Sequence, residues 1–134
     1  MKKLRVLVVD DDRVLATALT VRLGAAGMEV IASDSAYAAA QIALAERPDL
    51  ILLDIHMPHF TGLEFHECLG FSDHGRNIPV IYLSGSTNPL EREVALHQGA
   101  RAFLTKPFEP QVLLDTIRRA VNCTHGERIL HGVS

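Results

Sequence analysis

The sequence contains little that would suit a secreted disulfide scaffold or a membrane span. It has no tryptophan and only two cysteines, Cys68 and Cys123, with no CxxC pair and no Cys/His cluster. Two unpatterned cysteines are typical of a reducing compartment, so we expect no disulfide, no structural zinc site and a cytoplasmic location. No apolar run approaches the roughly 18–20 residues that cross a bilayer, and the N-terminus lacks the apolar core of a signal peptide.

Excess charge of either sign is also scarce. Thirteen Lys and Arg residues stand against sixteen Asp and Glu residues, which gives a net charge of −3. Because a nucleic-acid-binding domain normally carries a basic excess, we expect no direct contact with nucleic acid. A length of 134 residues with 48% hydrophobic content predicts one folded domain and excludes a disordered chain.

What the sequence does contain is a regular alternation of short apolar runs and helical patterns. The apolar runs predict strands at 5–10, 28–32, 50–54, 79–84 and 102–105. Apolar spacing, caps and Gly or Pro stops predict helices at 12–26, from Asp34 or Ser35 to 46, at 62–70, from Asn88 to 99, and from Pro110 to 121. Residues 72–77 are predicted to be a polar loop. Together these elements predict a three-layer α/β domain over residues 1–121 with a parallel sheet, followed by a tail or the start of a linker at 122–134.

Polar residues follow four of the five predicted strands. They are Asp10 and Asp11 after the first strand, Asp54 at the end of the third, Ser84 and Gly85 after the fourth, and Lys106 after the fifth. Each alone has an ordinary explanation, such as helix capping by the aspartates. Three carboxylates at one sheet edge, however, repel one another unless positive charge lies between them. A hard divalent cation such as Mg²⁺, together with the lysine ammonium, supplies that charge and indicates phosphoryl chemistry.

Four segments, in this order and spacing, carry a resemblance to a known family. They are Val8-Val9-Asp10-Asp11-Asp12, Leu53-Asp54-Ile55-His56-Met57-Pro58 with Gly62, Ile81-Tyr82-Leu83-Ser84-Gly85, and Lys106-Pro107-Phe108. Over residues 4 to 121 the chain resembles the receiver domain of two-component response regulators, and chemotaxis regulators in particular. The resemblance implies a (βα)5 doubly wound sheet with the flavodoxin-like strand order 2-1-3-4-5. It also implies a signalling module that catalyses only its own phosphorylation and dephosphorylation.

The resemblance assigns roles to the charged residues. Asp54 would be the phosphoacceptor, since a carboxylate can attack phosphorus to give an aspartyl phosphate. Mg²⁺ or Mn²⁺ would be held by Asp10, Asp11, Asp54 and the backbone carbonyl of His56. Lys106 would neutralise charge on the phosphoryl oxygens. The His56 side chain lies where it could influence access of water, although an ordinary surface position is the simpler interpretation.

The resemblance also assigns a switch. Ser84 would donate its hydroxyl to a phosphoryl oxygen after transfer, and a small residue is expected at Gly85 because bulk would block the pocket. Phe103 occupies the position of the switch aromatic, whose inward rotation would follow the movement of Ser84. In the family the bond that corresponds to Lys106-Pro107 is typically cis.

The implied partners are a sensor histidine kinase or a phosphotransfer protein, and a downstream effector or output domain. The latter would bind the face formed by the helix from Asn88, the fifth strand and the last helix. The sequence leaves open a homodimer, and whether the regulator stands alone or belongs to a longer protein. Two other functions stay open: a Mg²⁺-dependent aspartyl-phosphate phosphohydrolase, and a receiver-like binding module without phosphorylation. The phosphohydrolases typically carry a second acid two residues after the nucleophile, where this chain has His56.

Overall fold

Parallel strands and helices follow one another along the chain in the computed structural model, which describes residues 3–57 and 61–122. The elements are β1 (Arg5–Val9), α1 (Arg13–Ala25), β2 (Glu29–Ser33), α2 (Ala36–Glu46), β3 (Leu50–Asp54), α3 (Gly62–Leu69), α4 (Asp73–Arg76), β4 (Val80–Ser84), α5 (Pro89–His97), β5 (Ala102–Thr105) and α6 (Pro110–Asn122). The predicted α/β class is confirmed. None of the described helices is long and apolar enough to cross a membrane.

The five strands form one sheet in the order β2-β1-β3-β4-β5, which confirms the predicted order. All neighbouring pairs are parallel, and Val9 of β1 is in register with Leu53 of β3. Asp10 and Asp54 therefore leave adjacent strands at the same edge of the sheet. Ser84 is in register with Thr105, so the residue that follows β5, Lys106, reaches that edge as well.

Alternate residues of each strand pack against helices on opposite faces of the sheet. Leu7, Val9, Ile51 and Leu53 lie in a core with the buried alanines of α2 and with Phe65 of α3. Val6, Val8, Leu50 and Leu52 lie in a second core with Leu19 and Leu23 of α1 and with Leu113 and Ile117 of α6. The continuous apolar runs of the central strands are thus explained by burial on both faces.

Side-chain caps fix where several helices begin. The carboxylate of Asp12 accepts hydrogen bonds from the backbone N–H groups of Val14 and Leu15, both at 3.1 Å. The sequence left Asp34 and Ser35 as alternative caps of the second helix, and Ser35 is the N-cap. These caps satisfy N–H groups that have no partner within the helix.

Several predicted boundaries differ from the observed ones, and two of these differences concern helices. Residues 72–77 are not a plain loop, because Asp73–Arg76 forms a single helical turn capped by the Ser72 hydroxyl, which accepts from the Gly75 N–H at 2.8 Å. A four-residue turn is too short to show helical periodicity, so the sequence pattern could not reveal it. Asn122, assigned to the tail, is the last residue of α6. The rest of the predicted tail lies outside the described residues.

The second strand also begins and ends one residue later than predicted, at Glu29–Ser33. Cys68 is an exposed free thiol, whereas Cys123 lies outside the described residues.

Candidate functional site

Three aspartates converge at the carboxyl ends of β1 and β3. One carboxylate oxygen of each aspartate lies within 4.8 Å of the corresponding oxygens of the other two. Asp10 and Asp54 are buried, with 1% and 5% of their surfaces exposed, while Asp11 is exposed. The sequence prediction that these three side chains share one site agrees with this geometry.

Lys106 brings one positive charge into the cluster. Its Nζ lies 2.9 Å from Oδ2 of Asp10 and 3.7 Å from Oδ1 of Asp54. Its backbone N–H donates to the carbonyl of Ser84 at 2.7 Å, which holds the loop after β5 against β4. The Lys106-Pro107 peptide bond is cis, as the resemblance implies. One ammonium group therefore faces two buried carboxylates.

The excess of buried carboxylates over the single ammonium group affects the pKa of Asp54. Burial, followed by the neighbouring charge of Asp10, raises the pKa of Asp54 from 3.8 to about 6, although Lys106 and the N–H of His56 act in the opposite direction. A cluster that is short of positive charge favours binding of a cation. Three oxygen donors, one of them exposed, suit a small hard cation that keeps some of its water. The residues present thus fit Mg²⁺ or Mn²⁺.

Backbone groups orient the two buried carboxylates. Oδ1 of Asp10 accepts from the N–H of Asp12 at 2.9 Å, and Oδ1 of Asp54 accepts from the N–H of His56 at 3.2 Å. Gly62, the first residue of α3, lies directly against this segment. A Cβ at Gly62 would stand 2.3 Å from the carbonyl oxygen of Asp54. Only glycine lets α3 begin this close to the end of β3, a role that the sequence motif contained but did not explain.

The predicted switch residue Ser84 is fully buried at the end of β4. Its hydroxyl donates to Oε1 of Glu91, in the first turn of α5, and accepts from the N–H of Ser86 at 3.0 Å. Glu91 Oε2 lies 2.7 Å from Nε2 of His56. Glu91 is not among the predicted site residues, because nothing local distinguishes it from an ordinary acidic residue at a helix N-terminus.

The remaining two predicted residues lie beside this network. Phe103 of β5 is 3% exposed and belongs to the core on the α2 and α3 side of the sheet. A Cβ added at Gly85 would meet no heavy atom within 4 Å. The protein itself therefore leaves room for a methyl group at position 85, and any requirement for a small side chain there must come from what the pocket binds.

Comparison with known proteins matches residues 6–118 to the family model described as the response regulator receiver domain. The chain belongs to this family. Receiver domains are signalling modules and not classical enzymes, and phosphorylation and Mg²⁺ binding are typical of them. Response regulators interact with histidine kinases and with output domains.

Several relatives place this receiver domain in context. It is 33% identical over 124 residues to the response regulator MprA of Mycobacterium avium (strain 104), covering 92% of this chain and 54% of MprA. It is 38% identical over 117 residues to the response regulator protein FleR of Pseudomonas aeruginosa, covering 86% and 24% of the two chains. The chain thus spans about half the length of MprA. Among solved structures, the chemotaxis protein CheY4 of Vibrio cholerae superposes with a TM-score of 0.84 at 31% identity, covering 89% of this chain and 99% of CheY4.

Proposed function

We propose that this receiver domain accepts a phosphoryl group on Asp54 from the phosphohistidine of a sensor histidine kinase or of a phosphotransfer protein. The observation that carries the proposal is the cluster of Asp10, Asp11 and Asp54 with the ammonium of Lys106. We place the domain in the cytoplasm and assign it no catalysis beyond its own phosphorylation and dephosphorylation.

The geometry of Asp54 supports its role as the nucleophile. Oδ1 is engaged by the N–H of His56 and by Lys106. Among the residues that the structure describes, none donates a hydrogen bond to Oδ2 of Asp54. With a pKa of about 6, the carboxylate is mostly ionised at neutral pH. Oδ2 is thus the oxygen that forms the new bond to phosphorus while the bond from phosphorus to the histidine nitrogen breaks.

The surrounding residues supply charge and position. Lys106 neutralises negative charge on the phosphoryl oxygens, as electrostatic stabilisation of this transfer requires. Asp10, Asp11, Asp54 and the backbone carbonyl of His56 would hold Mg²⁺ or Mn²⁺. When bound, the cation supplies further neutralisation of the transferring group.

The output is a change of the surface formed by α5, β5 and α6. The hydroxyl of Ser84 donates to the phosphoryl oxygen on Asp54, and the ring of Phe103 responds to that movement from β5. Exposed apolar side chains on the two helices α5 and α6 support binding of a downstream effector or output domain. They are Leu90 (65% exposed), Val94 (47%) and Val112 (40%). A second copy of the chain is an alternative occupant of the same face.

The test is phosphorylation by acetyl phosphate in the presence of Mg²⁺, followed by intact-mass measurement. The native chain should gain one phosphoryl group, and Asp54→Asn should gain none. Asp115→Asn, which replaces an exposed carboxylate on α6, serves as the matched control and should behave like the native chain. An unchanged mass of the native chain with several small phosphodonors would refute the proposal. Sustained hydrolysis of small phosphoesters would instead identify a phosphohydrolase.

A further inference from the structure

Glu91 makes contacts that the transfer chemistry does not require. Its side chain is only 12% exposed although it lies in the first turn of a surface helix. One carboxylate oxygen accepts the hydroxyl proton of Ser84, and the other lies 2.7 Å from Nε2 of His56. Because a carboxylate only accepts hydrogen bonds, the hydrogen of the second contact lies on Nε2. Glu91 thereby connects α5 both to the end of β4 and to the loop that follows Asp54.

The hydrogen-bonding capacity of Ser84 makes this contact consequential. A serine hydroxyl has one proton to donate, and in this structure that proton is directed to Glu91. The N–H of Ser86 donates to the same hydroxyl oxygen at 3.0 Å. While Ser84 donates to Glu91, it has no proton to donate to a phosphoryl oxygen on Asp54. The carboxylate and the phosphoryl group therefore compete for one donor.

We propose that Glu91 is a positioning residue that holds Ser84 and the start of α5 in the unphosphorylated arrangement, and that phosphorylation of Asp54 breaks the Ser84–Glu91 bond. The inference rests on the proposed function, since it needs a phosphoryl group on Asp54. Hydrogen bonds to a charged acceptor are stronger than neutral ones, so the bond favours the unphosphorylated state. The contact with His56 contributes less, because its imidazole is 60% exposed.

This arrangement also explains how a local event at Asp54 reaches α5. A ligand can shift an equilibrium only through interactions that differ between the two states. The Ser84–Glu91 bond is such an interaction, because only one of the two states contains it. Its loss frees the first turn of α5, and α5 carries the exposed Leu90 and Val94 of the proposed output face. Glu91 thus links phosphorylation of Asp54 to the surface that a partner would bind.

The test measures binding of beryllium trifluoride, a mimic of the phosphoryl group on aspartate, to the full chain in the presence of Mg²⁺. Removal of Glu91 should relieve the competition, so Glu91→Ala should bind about tenfold more tightly than the native chain, which corresponds to about 1.4 kcal/mol. Glu91→Gln has the same shape and keeps an acceptor oxygen, so it should fold normally and gain only about two- to threefold. Glu93→Ala removes an exposed acid from the same helix and should match the native affinity.

A double-mutant cycle separates the proposed hydrogen bond from simple charge repulsion. In a Ser84→Ala background, Glu91→Ala should leave the affinity within about twofold, because the contact is already lost. A tenfold gain that persists in this background, or that Glu93→Ala reproduces, would overturn the inference in favour of a general charge effect. Equal affinities of the native chain and Glu91→Ala would overturn it directly. If the native chain and all variants fail to bind the mimic, the proposed function fails and this inference fails with it.

Discussion

Replacement of Asp54 by asparagine tests the electrostatics of the site without any phosphodonor. The pKa of Asp54 rises from 3.8 to about 6 in the folded protein, chiefly because the carboxyl group is buried and then because Asp10 lies beside it. Its side chain is only 7% exposed, so solvent screens the effect little. Each unit by which the pKa of Asp54 differs between the folded and unfolded states corresponds to about 1.4 kcal/mol. Ionisation of Asp54 therefore lowers the free energy of unfolding by about 2–3 kcal/mol.

The pH window follows from the direction of the shift. Between pH 3.8 and about 6 the folded protein keeps a proton on Asp54 that the unfolded chain has released. The contribution of Asp54 to stability therefore falls as pH rises through this window, and the full loss remains above it. Asparagine cannot ionise, so Asp54→Asn should match the native chain near pH 3.5 and exceed its stability by about 2–3 kcal/mol at pH 7.5.

The assay is urea unfolding at several pH values between 3.5 and 8 in a buffer that contains a chelator. The difference between the two proteins reports Asp54 together with its interactions with Asp10 and Lys106, because the remaining titrating groups are common to both. Mg²⁺ at about a hundred times its dissociation constant should stabilise the native chain by about 2.7 kcal/mol and close the gap. A constant difference across the pH range, or a native chain more stable than Asp54→Asn at pH 7.5 without cation, would refute the reasoning.

Two further variants test the neighbours of Asp54. Lys106→Ala removes the ammonium from the buried carboxylate of Asp10 and should lower the free energy of unfolding in chelator by about 2–3 kcal/mol. Addition of Mg²⁺ should restore most of this loss. An unchanged free energy of unfolding in chelator would contradict the role of Lys106 in neutralising the buried aspartates. Gly62→Ala places a Cβ 2.3 Å from the Asp54 carbonyl oxygen and should cost about 1–3 kcal/mol and slow phosphorylation. Gly24→Ala, in open space on α1, should instead stabilise by about 0.5–1 kcal/mol, and equal effects of the two glycine variants would exclude the steric explanation.

The sequence predicted the elements best where burial decides them. β3 and β5 have the predicted bounds, Leu50–Asp54 and Ala102–Thr105, because β3 is buried on both faces and β5 is nearly so. The convergence of Asp10, Asp11, Asp54 and Lys106 could also be predicted, since parallel strands present their carboxyl ends at one edge. The location of these residues in one site thus follows from the alternation of strands and helices.

Other features depend on contacts that no local pattern contains. The turn Asp73–Arg76 is a single turn stabilised by the Ser72 cap, so it has no periodicity to detect. Glu91 is one of two acids in α5, and its contact with Ser84 exists only because the first turn of α5 packs at the end of β4. The steric role of Gly62 likewise depends on how closely α3 approaches β3. Such roles are set by tertiary packing and become visible only in three dimensions.

The ion pair between Lys106 and Asp10 joins residues 96 positions apart in the chain. β1 lies in the interior of the sheet and β5 at its far edge, so the ammonium reaches the carboxylates only after β5 has paired with β4. Contacts between such distant positions form late and slowly compared with local ones. A nascent or truncated chain that stops before β5 would expose three uncompensated aspartates and lack the lysine. Under the proposed function such a chain would lack the ammonium that neutralises the phosphoryl oxygens, so we expect it to accept no phosphoryl group on Asp54.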